Sequence, residues 1–158
     1  MPELPLFFQV EVEWKDKHAG ELRSDSFPKV DVAAPPEFHG QEETWTPEHL
    51  FVAAVNSCFM TTLLAIAENS RLQIVKFCSR AKGKLEKIEA SGYQITEIVL
   101  KAELVIHDAR DLDRAARILQ KAEKNCLIAN SIKSAVKIEP QIYHQQLPTQ
   151  PCPPLPNF

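Results

Sequence analysis

The stretch Leu50 to Ala67 constrains this chain more than any other. It reads LFVAAVNSCFMTTLLAIA, apolar on nearly every face of a helix and relieved by Asn56, Ser57, Thr61 and Thr62. A bilayer span of this length would carry basic flanks and few polar interruptions. The four polar side chains and the missing flanks point instead to a helix enclosed by other elements of a soluble protein. Thr46-Pro47-Glu48 opens it: Thr46 is placed to cap, Pro47 gives up an amide that would be unpaired at the first helical position, and Glu48 complements the helix dipole. The helix is expected to run to about Asn69. A chain of 158 residues, 44% apolar and 25% charged, has the length of one domain and few elements with which to surround such a helix. A second copy is therefore expected to supply part of the cover, making a homodimer.

Around the helix the patterning is mostly that of strands. Phe8, Val10, Val12 and Trp14 alternate with Gln9, Glu11 and Glu13, the period of a half-buried strand. Lys15 to Gly20 reads as a turn in which Gly20 is free to take a positive φ, and Glu21–Ser24 and Val30–Ala34 read as two further strands before Pro35-Pro36. Beyond the helix, Ile74 to Leu85 alternates with one basic face. Ser91-Gly92 then turns the chain into a strand with Ile98, Leu100, Ala102, Leu104 and Ile106 on one side. The basic face has Glu86, Glu97 and Glu103 as cross-strand neighbours and reads as a solvated surface. Asp108 to Asp111 caps a helix whose stripe is Leu112, Ala115, Ala116, Leu119 and Ala122. Asn125 is placed to cap a short helix over 126–133, and Val136, Ile138 and Ile142 resume a strand. This segregated order predicts an α+β domain over residues 1–144 with antiparallel sheets around the long helix, followed by a proline-rich tail over 145–158.

The formal charge of −3 supplies no electrostatic footprint for nucleic acid or an anionic membrane, so neither is an expected partner. Met1 to Phe8 is too short for a secretory leader and carries Glu3 in place of a basic cluster, which makes the cytoplasm the default location. Histidines 18, 39, 49, 107 and 144 lack the helical spacing of a metal site, and the cysteines at 58, 78, 126 and 152 form no Cys-x-x-Cys pair. In a reducing compartment each thiol is a small core residue or a reagent. Cys58, halfway along the apolar helix, and Cys126, at the expected start of a helix where amides favour a thiolate, are the two with a claim to chemistry. Cys152 reads as incidental to the tail.

The strings TPEHLFVAAVNSCFMTTLLAIAE and AEKNCLIANSIK resemble the osmotically inducible protein C and organic hydroperoxide resistance family, OsmC/Ohr, over the whole domain up to Ile142. The resemblance implies an intertwined homodimer and thiol-dependent reduction of organic hydroperoxides. Cys58 would be the peroxidatic thiolate, Cys126 the resolving partner that closes an intrachain disulfide, and Glu48 the family's glutamate. An external dithiol would reopen the disulfide, and no cofactor is required. Cys78 is a rival resolver. Phe51, Val55 and Phe59 would line an apolar pocket suited to an alkyl hydroperoxide.

Two departures from the family pattern matter. The turn that carries the family's arginine is Lys15-Asp16-Lys17-His18-Ala19-Gly20 here, so the activating cation must come from Lys17, His18 or Arg23; and Cys126 precedes Leu127 where a proline is common. Glu48 and Cys58, ten residues apart on one helix, are separated by ~15 Å along its axis, so a shared site requires a second copy packed antiparallel. Two other readings use the same residues. One is a scaffold of this fold without efficient peroxide chemistry, binding a small apolar ligand or another protein; the other is a Cys-His hydrolase with Cys58 as nucleophile and His18 or His39 as base.

Overall fold

A computed structural model describes residues 3–145 and 151–152, and most of the proline-rich tail lies outside the described residues. The chain divides into two compact units, Met1–Leu50 and Phe51–Phe158. The boundary falls just after the first turn of the long helix α1, Pro47–Asn69.

The first unit is a three-stranded antiparallel sheet of β1 (Glu11–Asp16), β2 (Ala19–Arg23) and β3 (Val30–Ala33) in sequence order. The predicted first strand begins three residues later than the alternation of apolar residues does, and both of its faces are open. Trp14 is 74% exposed and Val12 65%, so the strand is not half-buried within one chain. The β1–β2 turn also differs from expectation. Lys17 takes the positive φ, at 46°, whereas Gly20 lies within β2, where an added Cβ would come 2.7 Å from the Glu13 carbonyl oxygen. Close backbone approach, not turn conformation, calls for glycine there. Trp14 Nε1 donates to the Lys17 carbonyl at 3.0 Å and closes the turn. At the end of the unit the Thr46 hydroxyl accepts from the His49 amide at 3.2 Å, the expected cap of α1.

In the second unit α1 buries the single line Val55, Phe59, Leu63 and Ala67, spaced four apart. Length and composition alone would let α1 cross a membrane. Here its stripe packs into a protein core with Ile98, Leu100, Ala102, Leu104 and Ile106, every one of them 0–1% exposed. Those five are the predicted inner face of β5 (Gly92–Ile106), which pairs antiparallel with β4 (Ile74–Ile88) across a turn where Gly92 has φ +78°. Gly83 of β4 faces Val52 of α1 so closely that an added Cβ would lie 2.6 Å from the Val52 methyl.

The second sheet, in the order β4-β5-β6, is mixed rather than purely antiparallel, because β6 (Ala135–His144) runs parallel to β5. The reason is the connection: α2 (Leu112–Asn125) and α3 (Leu127–Asn130) carry the chain back to the end where β5 began, so the next strand repeats its direction. From α2 the core receives Ala115, Ile118, Leu119 and Ala122. The basic face of β4 is solvated and ion-paired as expected, with Arg80 Nη1 3.6 Å from Glu103 and Lys84 Nζ 2.8 Å from Glu86.

Candidate active site

Two free thiols meet in the second unit. Cys58 projects from the middle of α1 and is half-buried, while Cys126, 2% exposed, sits in the link between α2 and α3. Asn125 does not cap α3. It ends α2 and its side-chain amide donates to the Lys121 carbonyl at 2.7 Å, leaving Cys126 itself as the capping residue, with extended φ and ψ of −66° and 107°. That one-residue shift decides where the free amides of α3 point. The Ile128 N–H donates to Cys58 Sγ at 3.5 Å, so an amide that the sequence assigned to Cys126 alone also serves Cys58.

The electrostatic consequences are opposite for the two sulfurs. Burial opposes ionisation of Cys58 and is the largest influence on it. The Ile128 amide, the Cys126 thiol, the Thr62 hydroxyl and the Leu127 amide together outweigh burial and hold its pKa below the ordinary thiol value. For Cys126 burial also comes first and prevails: its pKa is raised, and the neighbouring Cys58 raises it further against the Ala129 and Ile128 amides. The expectation of a thiolate at Cys126 is thereby corrected. The more ionisable sulfur is Cys58, despite its position halfway along a helix.

Cys126 opens on a cavity of about 160 Å³ whose apolar wall includes Val55, Phe59, Val136 and Ile138, with Glu123 and Asn130 as its polar residues. Val55 and Phe59 are thus placed as a pocket wall, whereas Phe51 packs against the core cluster outside this lining.

The other candidates lie in the first unit. Arg23 is held by three glutamates, with Nε 2.6 Å from Glu21, Nη1 3.6 Å from Glu11, and a further pairing to Glu13. Lys17 forms the β1–β2 turn, and His18 Nδ1 is 3.4 Å from the Phe38 carbonyl. Glu48 lies in the first turn of α1, and among the described residues its Oε2 is enclosed without a hydrogen-bond partner. No group of three His, Cys, Asp or Glu side chains poised for a metal occurs among the described residues.

The remaining cysteines are not as the sequence suggested. Cys78 and Cys152 are joined to each other in a disulfide, with Cα atoms 6.0 Å apart. Cys152 is therefore not incidental, and Cys78 in this state is not available to resolve Cys58. Nothing in the spacing of the two residues signals that bond.

The chain is an α+β protein with two free cysteines beside each other, one half-buried and one buried. The OsmC-like protein family matches residues 40–141, and the chain belongs to that family. An OsmC-like protein of unknown function from Vibrio cholerae has the same fold with a TM-score of 0.79 at 27% identity, over 87% of this chain and 100% of that one. An organic hydroperoxide resistance protein from Elizabethkingia anophelis superposes with a TM-score of 0.71 at 19% identity, over 91% and 100%. By sequence the chain is similar to the uncharacterised protein YmaD of Bacillus subtilis, 25% identical over 68% of this chain and 73% of that protein.

Proposed function

We propose that this chain is a thiol-dependent peroxidase of organic hydroperoxides, with Cys58 peroxidatic and Cys126 resolving. The observation that carries the reading is the contact between two free thiols of opposite tendency, one favoured as thiolate and one held as thiol. The Cys58 thiolate attacks the terminal oxygen of ROOH, the O–O bond breaks, and the alkoxide leaves and is protonated to ROH. Cys58 is left as a sulfenic acid. Cys126 then attacks the Cys58 sulfur, hydroxide leaves as water with the Cys126 proton, and a disulfide closes. An external dithiol returns both sulfurs to thiols by exchange. The two thiols interact through their side chains while both are free, the arrangement from which a bond of about 2.05 Å can close. The apolar wall beside Cys126 suits an alkyl chain better than hydrogen peroxide, which gains nothing from hydrophobic burial.

In the same reading the protein works as a homodimer in the cytoplasm. Support for a second copy comes from apolar surface that one chain leaves open: Phe8, Val10, Val12 and Trp14 in the first unit, Met60 and Leu64 on α1 in the second. Glu48 Oε2, enclosed without a hydrogen-bond partner among the described residues, supports a role for this carboxylate in a site completed by that copy. Lys17 and His18 are the cations we assign to the place of the family arginine, since the charge of Arg23 is already shared among Glu11, Glu13 and Glu21.

The test is turnover of cumene hydroperoxide by the reduced protein with a dithiol such as dihydrolipoamide, followed alongside free-thiol loss. Wild type loses the Cys58 and Cys126 thiols together and turns over. Cys58→Ser does neither. Thiol loss no faster than that of a free cysteine would support the scaffold reading in its place.

A further inference from the structure

The cavity of about 160 Å³ in the second unit is lined by Cys126 and not by Cys58. Cys126 is only 2% exposed, and this cavity is the space that reaches it. Val55 and Phe59 of α1 and Val136 and Ile138 of β6 make the wall apolar. Glu123 and Asn130 are both exposed, so the polar part of the lining is the end that meets solvent. Asn130 Nδ2 is engaged by the Lys124 carbonyl at 3.0 Å, and Glu123 supplies the charge of the lining.

We propose that this cavity is the entry for the reducing thiol, which attacks the Cys126 sulfur of the Cys58–Cys126 disulfide and releases Cys58, and that Glu123 at its mouth selects against anionic thiols. The inference rests on the peroxidase reading for the disulfide from which it begins. Disulfide exchange is an in-line displacement, in which the incoming sulfur approaches the attacked sulfur from the side opposite the leaving one. A space bounded by Cys126 and not by Cys58 offers that approach to Cys126 once the alcohol has left. The leaving groups decide the same way, because exchange is faster when the departing sulfur is the more acidic. Against burial, donors led by the Ile128 amide hold the Cys58 pKa below the ordinary thiol value, whereas burial raises that of Cys126. Attack at the half-buried Cys58 would have to expel the poorer leaving group into the core cluster to which Cys126 belongs. The Ile128 N–H, which donates to Cys58 Sγ at 3.5 Å, is by contrast already in place to receive a departing Cys58 thiolate.

The step balances with one dithiol. Its thiolate bonds to Cys126 Sγ, the bond between Cys58 and Cys126 breaks, and Cys58 leaves as thiolate and later takes a proton. The second thiolate of the reagent then attacks the reagent's own sulfur in the mixed disulfide. Cys126 departs and takes a proton, and the reagent leaves as a cyclic disulfide. Two electrons and two protons pass from the dithiol to the protein. A limiting monothiol stops at the mixed disulfide and so marks the cysteine that was attacked.

The experiment closes the disulfide in the full wild-type chain with diamide, so that no step depends on peroxidase activity. One equivalent of benzyl mercaptan follows, then excess N-ethylmaleimide within seconds and peptide mass mapping, with the peptides of Cys78 and Cys152 scored apart. Benzyl mercaptan is expected on Cys126 and maleimide on Cys58. The reverse placement would overturn the proposal, as would failure of diamide to join the two cysteines. In a second arm, Glu123→Gln should speed reduction by the anionic 2-mercaptoethanesulfonate several-fold and leave reduction by the neutral 2-mercaptoethanol nearly unchanged, with the difference shrinking as salt is added. Equal effects of the substitution on both thiols would overturn the entry route. Should cumene hydroperoxide fail to close the disulfide while the label still lands on Cys126, the peroxidase reading falls and the direction of exchange stands.

Discussion

Ionising the Cys58 thiol places a negative charge on a half-buried sulfur, and burial is the strongest single influence against it. Donors converging from two elements reverse the balance: amides of Leu127 and Ile128 from α3, and the Thr62 hydroxyl one turn along α1. Alkylation against pH should therefore show Cys58 titrating below an ordinary thiol and Cys126 above one. Thr62→Val should raise the Cys58 midpoint and slow its alkylation at neutral pH. Stability follows the same signs. The lowered pKa of Cys58 favours the folded state above the unfolded thiol pKa, and that contribution is lost as pH falls through the folded value. The raised pKa of Cys126 favours the folded state at lower pH, and its contribution is lost as pH rises through its folded value. Because the two thiols interact, titration reports them as a pair. From the sequence both cysteines could be singled out, but not which would ionise. That depends on α3 starting one residue later than its capping pattern indicates and on its amides reaching a sulfur seventy positions earlier in the chain.

Periodicity carries far at the level of elements. The alternation in β5 identified its buried face residue by residue, and Thr46-Pro47-Glu48 located the start of α1. Thr46 is 2% exposed and its hydroxyl accepts from the His49 amide, so Thr46→Ala should cost about 1–2 kcal/mol in denaturant unfolding. Phe59 is fully buried on the core stripe of α1, and Phe59→Ala should cost about 3–5 kcal/mol and enlarge the cavity beside Cys126. The parallel pairing of β6 was not legible, since a strand pattern has the same period in either direction and only the path of the preceding helices fixes it. The Cys78–Cys152 bond was hidden for a related reason: the tail has neither helical nor strand periodicity from which to place Cys152.

Across the whole molecule, β1 presents the pattern of a half-buried strand and yet every residue of it is exposed within one chain. In the proposed dimer a second copy would cover this strand, together with the open apolar surface at Met60 and Leu64 of α1. Sedimentation at micromolar concentration should therefore give a dimer, and Trp14→Asp together with Val12→Asp should shift it to monomer. A wild-type monomer at every concentration would remove the second copy from the account. The chemistry itself is tested most directly by mixing reduced protein with one equivalent of cumene hydroperoxide, quenching with an alkylating reagent within seconds, and mapping the cysteine peptides by mass. The account predicts that the peptides of Cys58 and Cys126 emerge joined, with one equivalent of cumyl alcohol released per chain. Peptides of Cys58 and Cys126 recovered separately and fully alkylated, with the hydroperoxide unspent, would contradict it.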